Sequence, residues 1–299
     1  KRPEKLGVAE IVDGERLEEL FVRVAAMDIE SFGRLTAAED IPSRQNVMIA
    51  GDRLNIQRKS IDNGVRLLVI SGNQPVLPEI EEMAKSALAL GYEYIAITDH
   101  SPSSTIANGL SIERLIEKKK ELSAVNKKMK SIKILMGSEV DIKTDGTLDY
   151  PDDVLKDLDI VIASVHSGFK MDRDTITKRI LSALKNPYVH ALGHPTGRLI
   201  NEREPYDVDI DQLIETALKY DKALEVNASY QRLDLKDLHV KKAVEAGVKI
   251  IISTDAHRPE GLLQMRFGIG TARRGWAQKK DVLNALEFDE LQEWLKSKK

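Results

Sequence analysis

The chain contains no cysteine. Disulfides and thiolate metal sites are thereby excluded, and any metal has to be held by His, Asp or Glu. A cysteine-free chain suits a reducing compartment. No apolar run approaches the roughly 18–20 residues needed to span a bilayer, so a cytoplasmic protein with no membrane partner is expected. An excess of one charge is missing as well. Lys and Arg number 45 against 48 Asp and Glu, a net charge of −3. A broad nucleic-acid surface usually shows as strongly basic character, which leaves room only for a local basic groove. Internal repeats and low-complexity tracts are also lacking. The chain does have length. Its 299 residues suffice for one large domain, or a medium one and a small one, with a sizeable core.

From residue 66 onward, short apolar runs alternate with helical patterns. The runs are 66–70, 93–97, 132–136, 160–163, 189–192, 223–226 and 249–252. They are near-continuously apolar, as parallel strands covered on both faces are. Between them, 78–90 places Ile80, Met83, Ala84, Ala87 and Leu88 on one helical face, with Gly91 as a stop. Segment 210–220 carries Leu213, Ile214 and Ala217 inward, and 237–246 ends at Gly247. Seven strand–helix units predict a (β/α) barrel, with an open doubly wound sheet as the alternative.

The lysine-rich stretch 117–130 invites a DNA-binding reading. Leu115, Ile116, Leu122, Val125 and Met129 keep a helical spacing around it, so its lysines are read as a solvated outer face. Residues 1–65 differ from the rest. Val8–Val12, the Asp13-Gly14 turn signal and Phe21–Ala25 suggest strands of a separate small α+β element, followed by polar sequence.

Four of the six histidines follow strands: His100, His166, His194 and His257. Glu139 sits just past the run 132–136, within Gly137-Ser138-Glu139-Val140-Asp141. In a barrel, strand ends converge on the face where active sites are built. Convergent imidazoles and carboxylates suit a divalent ion such as Mn, Zn or Fe. Asp255 and His257, two residues apart, point the same way if strand geometry persists through them. His190 opens a strand, His239 lies in a helix, and neither is given a role.

Five segments, Ile97-Thr98-Asp99-His100, Gly137–Asp141, Ser164-Val165-His166-Ser167, Gly193–Arg198 and Ser253–His257, resemble successive motifs of the PHP (polymerase and histidinol phosphatase) domain. The stretches Arg232–Leu235 and Met265–Trp276 are similar to the version at the C-terminus of family X DNA polymerases. The resemblance covers residues 66–299. It implies a distorted seven-stranded (β/α) barrel, a trinuclear metal centre, and exonuclease or related DNA phosphoesterase activity. The chain opens with Lys1-Arg2 rather than Met, so it is read as a fragment with an upstream polymerase region missing. Val22–Gly33 faintly resembles the polymerase palm, which makes 1–65 a candidate palm or thumb remnant without polymerase activity.

The resemblance also implies losses. The family's first strand carries an Asp-Leu-His-x-His segment, and here the matching stretch reads Arg66-Leu67-Leu68-Val69-Ile70-Ser71. Leu68 and Ile70 stand for the histidines, and Pro75 for a later acidic ligand. Carried over residue by residue, the pattern gives one full metal site from Glu139, His166 and His194. A second would keep Glu139 and Asp255, and a third His100 and His257, so fewer than three ions are expected. The function implied is a metal-dependent phosphoesterase acting on DNA or a phosphorylated small molecule. Asp255 and Glu139 serve catalysis in this reading, and Arg198 and Arg232 contact phosphate. The alternative is a catalytically impaired scaffold or DNA-positioning module.

Overall fold

The computed structural model describes residues 67–70 and 77–298, with side chains from residue 80 onward. The expectations for 1–65, the palm remnant among them, and for Pro75 lie outside the described residues. The strands are β1 (Leu67–Ile70), β2 (Tyr94–His100), β3 (Lys133–Asp141), β4 (Ile160–Ser164), β5 (Ala191–Leu192), β6 (Ala223–Asn227) and β7 (Ile250–Ser253). All pair in parallel in sequence order. Strands β2 to β7 form a curled parallel half-barrel, the α/β fold that the apolar runs predicted. β1 runs beside β2 over four residue pairs and meets β7 at Val69↔Ser253.

The helices are α1 (Leu77–Ala89), α2 (Ile112–Lys128), α3 (Asp152–Leu155), α4 (Arg173–Leu184), α5 (Ile210–Lys219), α6 (Asp237–Ala246), α7 (Met265–Arg274) and α8 (Phe288–Lys296). Gly91 and Gly247, at φ 84° and 91°, follow α1 and α6 in the left-handed conformation that stops a helix. No helix among the described residues is long and apolar enough to cross a membrane.

Alternation along the strands sorts two cores. Tyr94, Ala96, Leu135, Ile160, Ile162, Ala191, Ala223 and Ile251 fill the interior of the curl, where Leu283, Leu291 and Leu295 from the C-terminal segment close its lower end. Ile95, Ile97, Ile134, Met136, Leu192, Leu224 and Ile252 face the helices. On the inner face the side chains turn polar toward the C-terminal strand ends: His100 above Ala96, Glu139 and Asp141 above Leu135, Glu225 above Ala223, Ser253 above Ile251. The register thus places polar groups at one end of an otherwise apolar core.

The register of β1 pairs Leu67 with Tyr94, Leu68 with Ile95, Val69 with Ala96 and Ile70 with Ile97. Three expectations need correction. On α2, the buried stripe is Leu115, Lys118, Leu122 and Val125, whereas Ile116 is 52% exposed. Lys118 is no solvated lysine, because its Nζ lies 3.4 Å from buried Asp99. On α1, Leu88 falls outside the buried face made by Ile80, Met83, Ala84 and Ala87. The run 189–192 yields only a two-residue strand. His190 Nδ1 accepts the Val161 N–H at 3.0 Å, so a side chain takes a place in the ladder that a carbonyl would hold.

Candidate metal centre

His100, Glu139, His166 and His194 reach the centre from four different strands, while Asp255 and His257 both follow β7. His100 is the last residue of β2 and sits level with Glu139 of β3. His166 and His194 each follow a strand end by two residues, after β4 and β5. Gly193 lets β5 end close to β4, since a Cβ there would run into Ser164 Oγ. His100, Glu139, His166, His194, Arg232, Asp255 and His257 line a single cavity of about 610 Å³, together with Asp141, Lys143 and the loop Ser103–Ala107.

Glu139 is the hub. Its Oε1 lies 2.9 Å from His194 Nε2 and 3.2 Å from His166 Nε2, and the two Nε2 atoms are 3.2 Å apart. Its Oε2 faces His100 Nδ1 at 3.7 Å. The ligand atoms of His100, Glu139 and His166 all lie within 4.8 Å of one another. The His166 ring meets those of His100 and His194 edge-on, with centroids 5.0 and 5.1 Å away.

Asp141 was not singled out from the sequence. It accepts from His166 Nδ1, and Ser104 Oγ donates to its Oδ1 at 3.0 Å. A carboxylate on the far nitrogen of an imidazole fixes the ring and its tautomer, as in metal sites whose ligand histidines are held by carboxylates. The signal was available, because Asp141 is two residues beyond Glu139 on one strand and so shares its face.

Burial and charge act against each other here. Burial pushes the Glu139 carboxyl up, but the His100 and His166 charges and the hydrogen bonds from His166 and His194 hold it well below the usual range. Burial pushes His166 down, and Glu139 and Asp141 together outweigh it and raise the ring to about 10. Burial dominates at His194 and lowers it. Glu225, beneath the cluster, is pushed up to about 8 by burial and by the Glu139 charge.

Other candidates divide. Asp255 is half-buried at φ 53°, so strand geometry does not persist through it, and His257 is exposed beyond it with Nδ1 on the Asp255 carbonyl at 2.8 Å. Asp255 Oδ2 receives Asn227 Nδ2 at 3.3 Å and has Arg232 Nε at 3.8 Å. Arg232 Nη1 is buried with no hydrogen-bond partner. Arg198 stands apart from the cavity lining. Its guanidinium donates to the carbonyls of Arg232 and Leu233, so it braces that loop from behind.

The donor set fits a divalent cation. Donors held about 2.0–2.1 Å from one tetrahedral ion stand roughly 3.3 Å from each other. The three mutual distances among Glu139 Oε1, His166 Nε2 and His194 Nε2 span 2.9–3.2 Å. Two imidazole nitrogens and a carboxylate oxygen aimed at one point require positive charge there. In the protein alone, the imidazolium of His166 supplies it.

A PHP domain model matches residues 77–229, and a DRTGG domain model matches residues 5–101. β1 thus falls inside the second match and ahead of the first. The DNA polymerase/3'-5' exonuclease PolX of Bacillus subtilis (strain 168) is 50% identical over 217 residues, 73% of this chain and 38% of that protein. The chain therefore spans well under half the length of that relative. A probable phosphatase of Thermoanaerobacter sp. (strain X514) is 34% identical over 230 residues, 74% of this chain and 89% of that protein. Among solved structures, a histidinol phosphate phosphatase from Lactococcus lactis, in complex with zinc, L-histidinol and phosphate, covers 69% of this chain and 93% of its own at 17% identity. The TM-score is 0.47.

Proposed function

The chain belongs to the PHP domain family, and on that footing we propose that it is a metal-dependent phosphoesterase acting on DNA, by 3'-5' exonucleolytic or related phosphoester hydrolysis. The observation that carries this reading is the convergence of Glu139 Oε1, His166 Nε2 and His194 Nε2 within 3.2 Å at the floor of an open cavity. These three residues would hold one Mn, Zn or Fe ion. Glu139 Oε2 and His100 stand beside it, with Asp255 and His257 at the rim. Fewer ions than the family's three are proposed, since Leu and Ile on β1 carry no ligand atoms. The sheet is read as a distorted seven-stranded barrel, supported by the pairing of β1 with both β2 and β7.

The bound ion would supply an acidified water and stabilise charge on the phosphoryl oxygens. The chain's own residues do the rest. Arg232 lines the cavity and has a buried Nη1 without a hydrogen-bond partner, and in this reading its guanidinium contacts a phosphate oxygen of the substrate. Asp255 is held by Asn227 and Arg232 at the rim, positioned to accept a proton from the attacking water. Buried Asp141 keeps the His166 ring oriented.

DNA is preferred as substrate because of the 50% identity to the Bacillus polymerase and exonuclease. The probable phosphatase favours a phosphorylated small molecule instead. The alternative of a non-catalytic scaffold draws on β1, which brings no ligand atom. Elemental analysis of the purified protein, followed by Mn-dependent hydrolysis of a 5'-labelled oligonucleotide and of p-nitrophenyl phosphate, tests the proposal. Shortening of the oligonucleotide from its 3' end supports it. Metal without hydrolysis of either substrate favours the scaffold, and absence of bound metal overturns the reading.

A further inference from the structure

One inward-facing carboxyl of the barrel has no part in the proposed hydrolysis. Glu225 lies on β6, 3% exposed, between β5 and β7. Its Oε2 accepts the backbone N–H of His194, and its Oε1 is hydrogen-bonded to Ser253 Oγ of β7.

The alternation of β5 explains why that bond matters. Ala191 faces the interior and Leu192 faces the helices. A strand continued past Gly193 would therefore carry the His194 side chain to the helix side. The backbone breaks the alternation at His194, whose φ is 24°. That conformation is disfavoured for a residue with a Cβ and persists where surrounding structure imposes it. The turn brings His194 Nε2 to Glu139 and aims the His194 N–H at the interior, where Glu225 meets it. Ser253 ties the same carboxyl to β7, two residues ahead of Asp255, which also has a positive φ. An apolar residue at 225 would leave a buried N–H without an acceptor.

We propose that Glu225 is a positioning residue that locks the turned backbone of His194, and so keeps that imidazole aimed at the metal position. The proposal rests on the metal-dependent reading of the site only for its consequence; the locking of His194 is a property of the metal-free protein.

The test compares Glu225→Gln with Glu225→Met in the full chain. Gln keeps an acceptor for the His194 N–H and a polar group for Ser253 Oγ, while Met fills the space without either. Two readouts are used: the His194 amide resonance of metal-free, ¹⁵N-histidine-labelled protein, and Zn²⁺ affinity by calorimetry. Glu225→Gln is expected to leave the amide near its native position and affinity within about threefold. Glu225→Met is expected to move the amide and weaken Zn²⁺ binding by roughly 10-fold or more, the range seen when groups that orient metal ligands are removed. A native amide and native affinity in Glu225→Met overturn the proposal. If the native protein binds no Zn²⁺, the metal reading fails and the amide alone decides the role of Glu225. If Glu225→Met does not fold, Ser253→Ala releases the other carboxyl oxygen. An unmoved His194 amide in that variant overturns the proposal, and a moved one supports it.

Discussion

His166 Nε2 and His194 Nε2 face each other at 3.2 Å, although the two residues are carried by different strand ends. Two ligands of one tetrahedral cation stand at about that separation. His166→Ala should therefore abolish stoichiometric binding of Mn²⁺ or Zn²⁺. His257→Ala should weaken it only a few-fold, because His257 is exposed and its Nδ1 is occupied by the Asp255 carbonyl. Elemental analysis after gel filtration reads the outcome. Native metal content in His166→Ala would remove that histidine from the site.

Asp141 acts on the ion through His166. Asp141→Asn keeps the size of the side chain but loses the charge that orients the ring and favours its proton on Nδ1. Metal affinity should fall roughly 10–100-fold, with the helical content by circular dichroism unchanged. Calorimetric titration with Zn²⁺ checks it, and an affinity equal to that of the native protein would show that Asp141 only fills space.

The resemblance to PHP motifs invites restoration of the lost histidines at 68 and 70. Leu68→His with Ile70→His should raise the number of bound Mn²⁺ ions above the native value, because β1 then regains two ligand-bearing residues that it lacks. Elemental analysis of the double variant checks it, and an unchanged metal content would show that β1 contributes no ligand to the site.

How far the sequence can be read depends on where its signals are local. Apolar runs covered on both faces reveal the strands, and the residues just after them give His100, Glu139, His166 and His194, because a strand end fixes the place of the next few side chains. Register is not local. Leu67-Leu68-Val69-Ile70 is apolar at every position, so no polar residue marks which face is inward. Lys118 escapes the sequence pattern for a related reason: helical spacing marks a stripe but cannot show that a lysine on it has Asp99 as a partner. Arg198 and Arg232 look alike in sequence, and only the carbonyls that occupy Arg198 separate them.

The last prediction concerns a histidine outside the site. His239 lies on α6, half-buried, with Nδ1 buried and unpartnered. Burial lowers its pKa to about 4, and the charges of Lys236, Lys242 and Arg198 add to the effect. The unfolded chain titrates this ring near 6.5. Between those values the unfolded state holds a proton that the folded state does not, so stability rises with pH across the window and the penalty is complete below about 4. The side chain is partly solvated, which limits the effect to on the order of 1–3 kcal/mol. His239→Gln has no such proton to gain. Its stability by urea unfolding should fall less than that of the native protein between pH 7 and about 4.5. The two curves should converge in slope above pH 7, where the ring is neutral in both states. Parallel curves across the acid window would show that His239 titrates alike in the folded and unfolded chains.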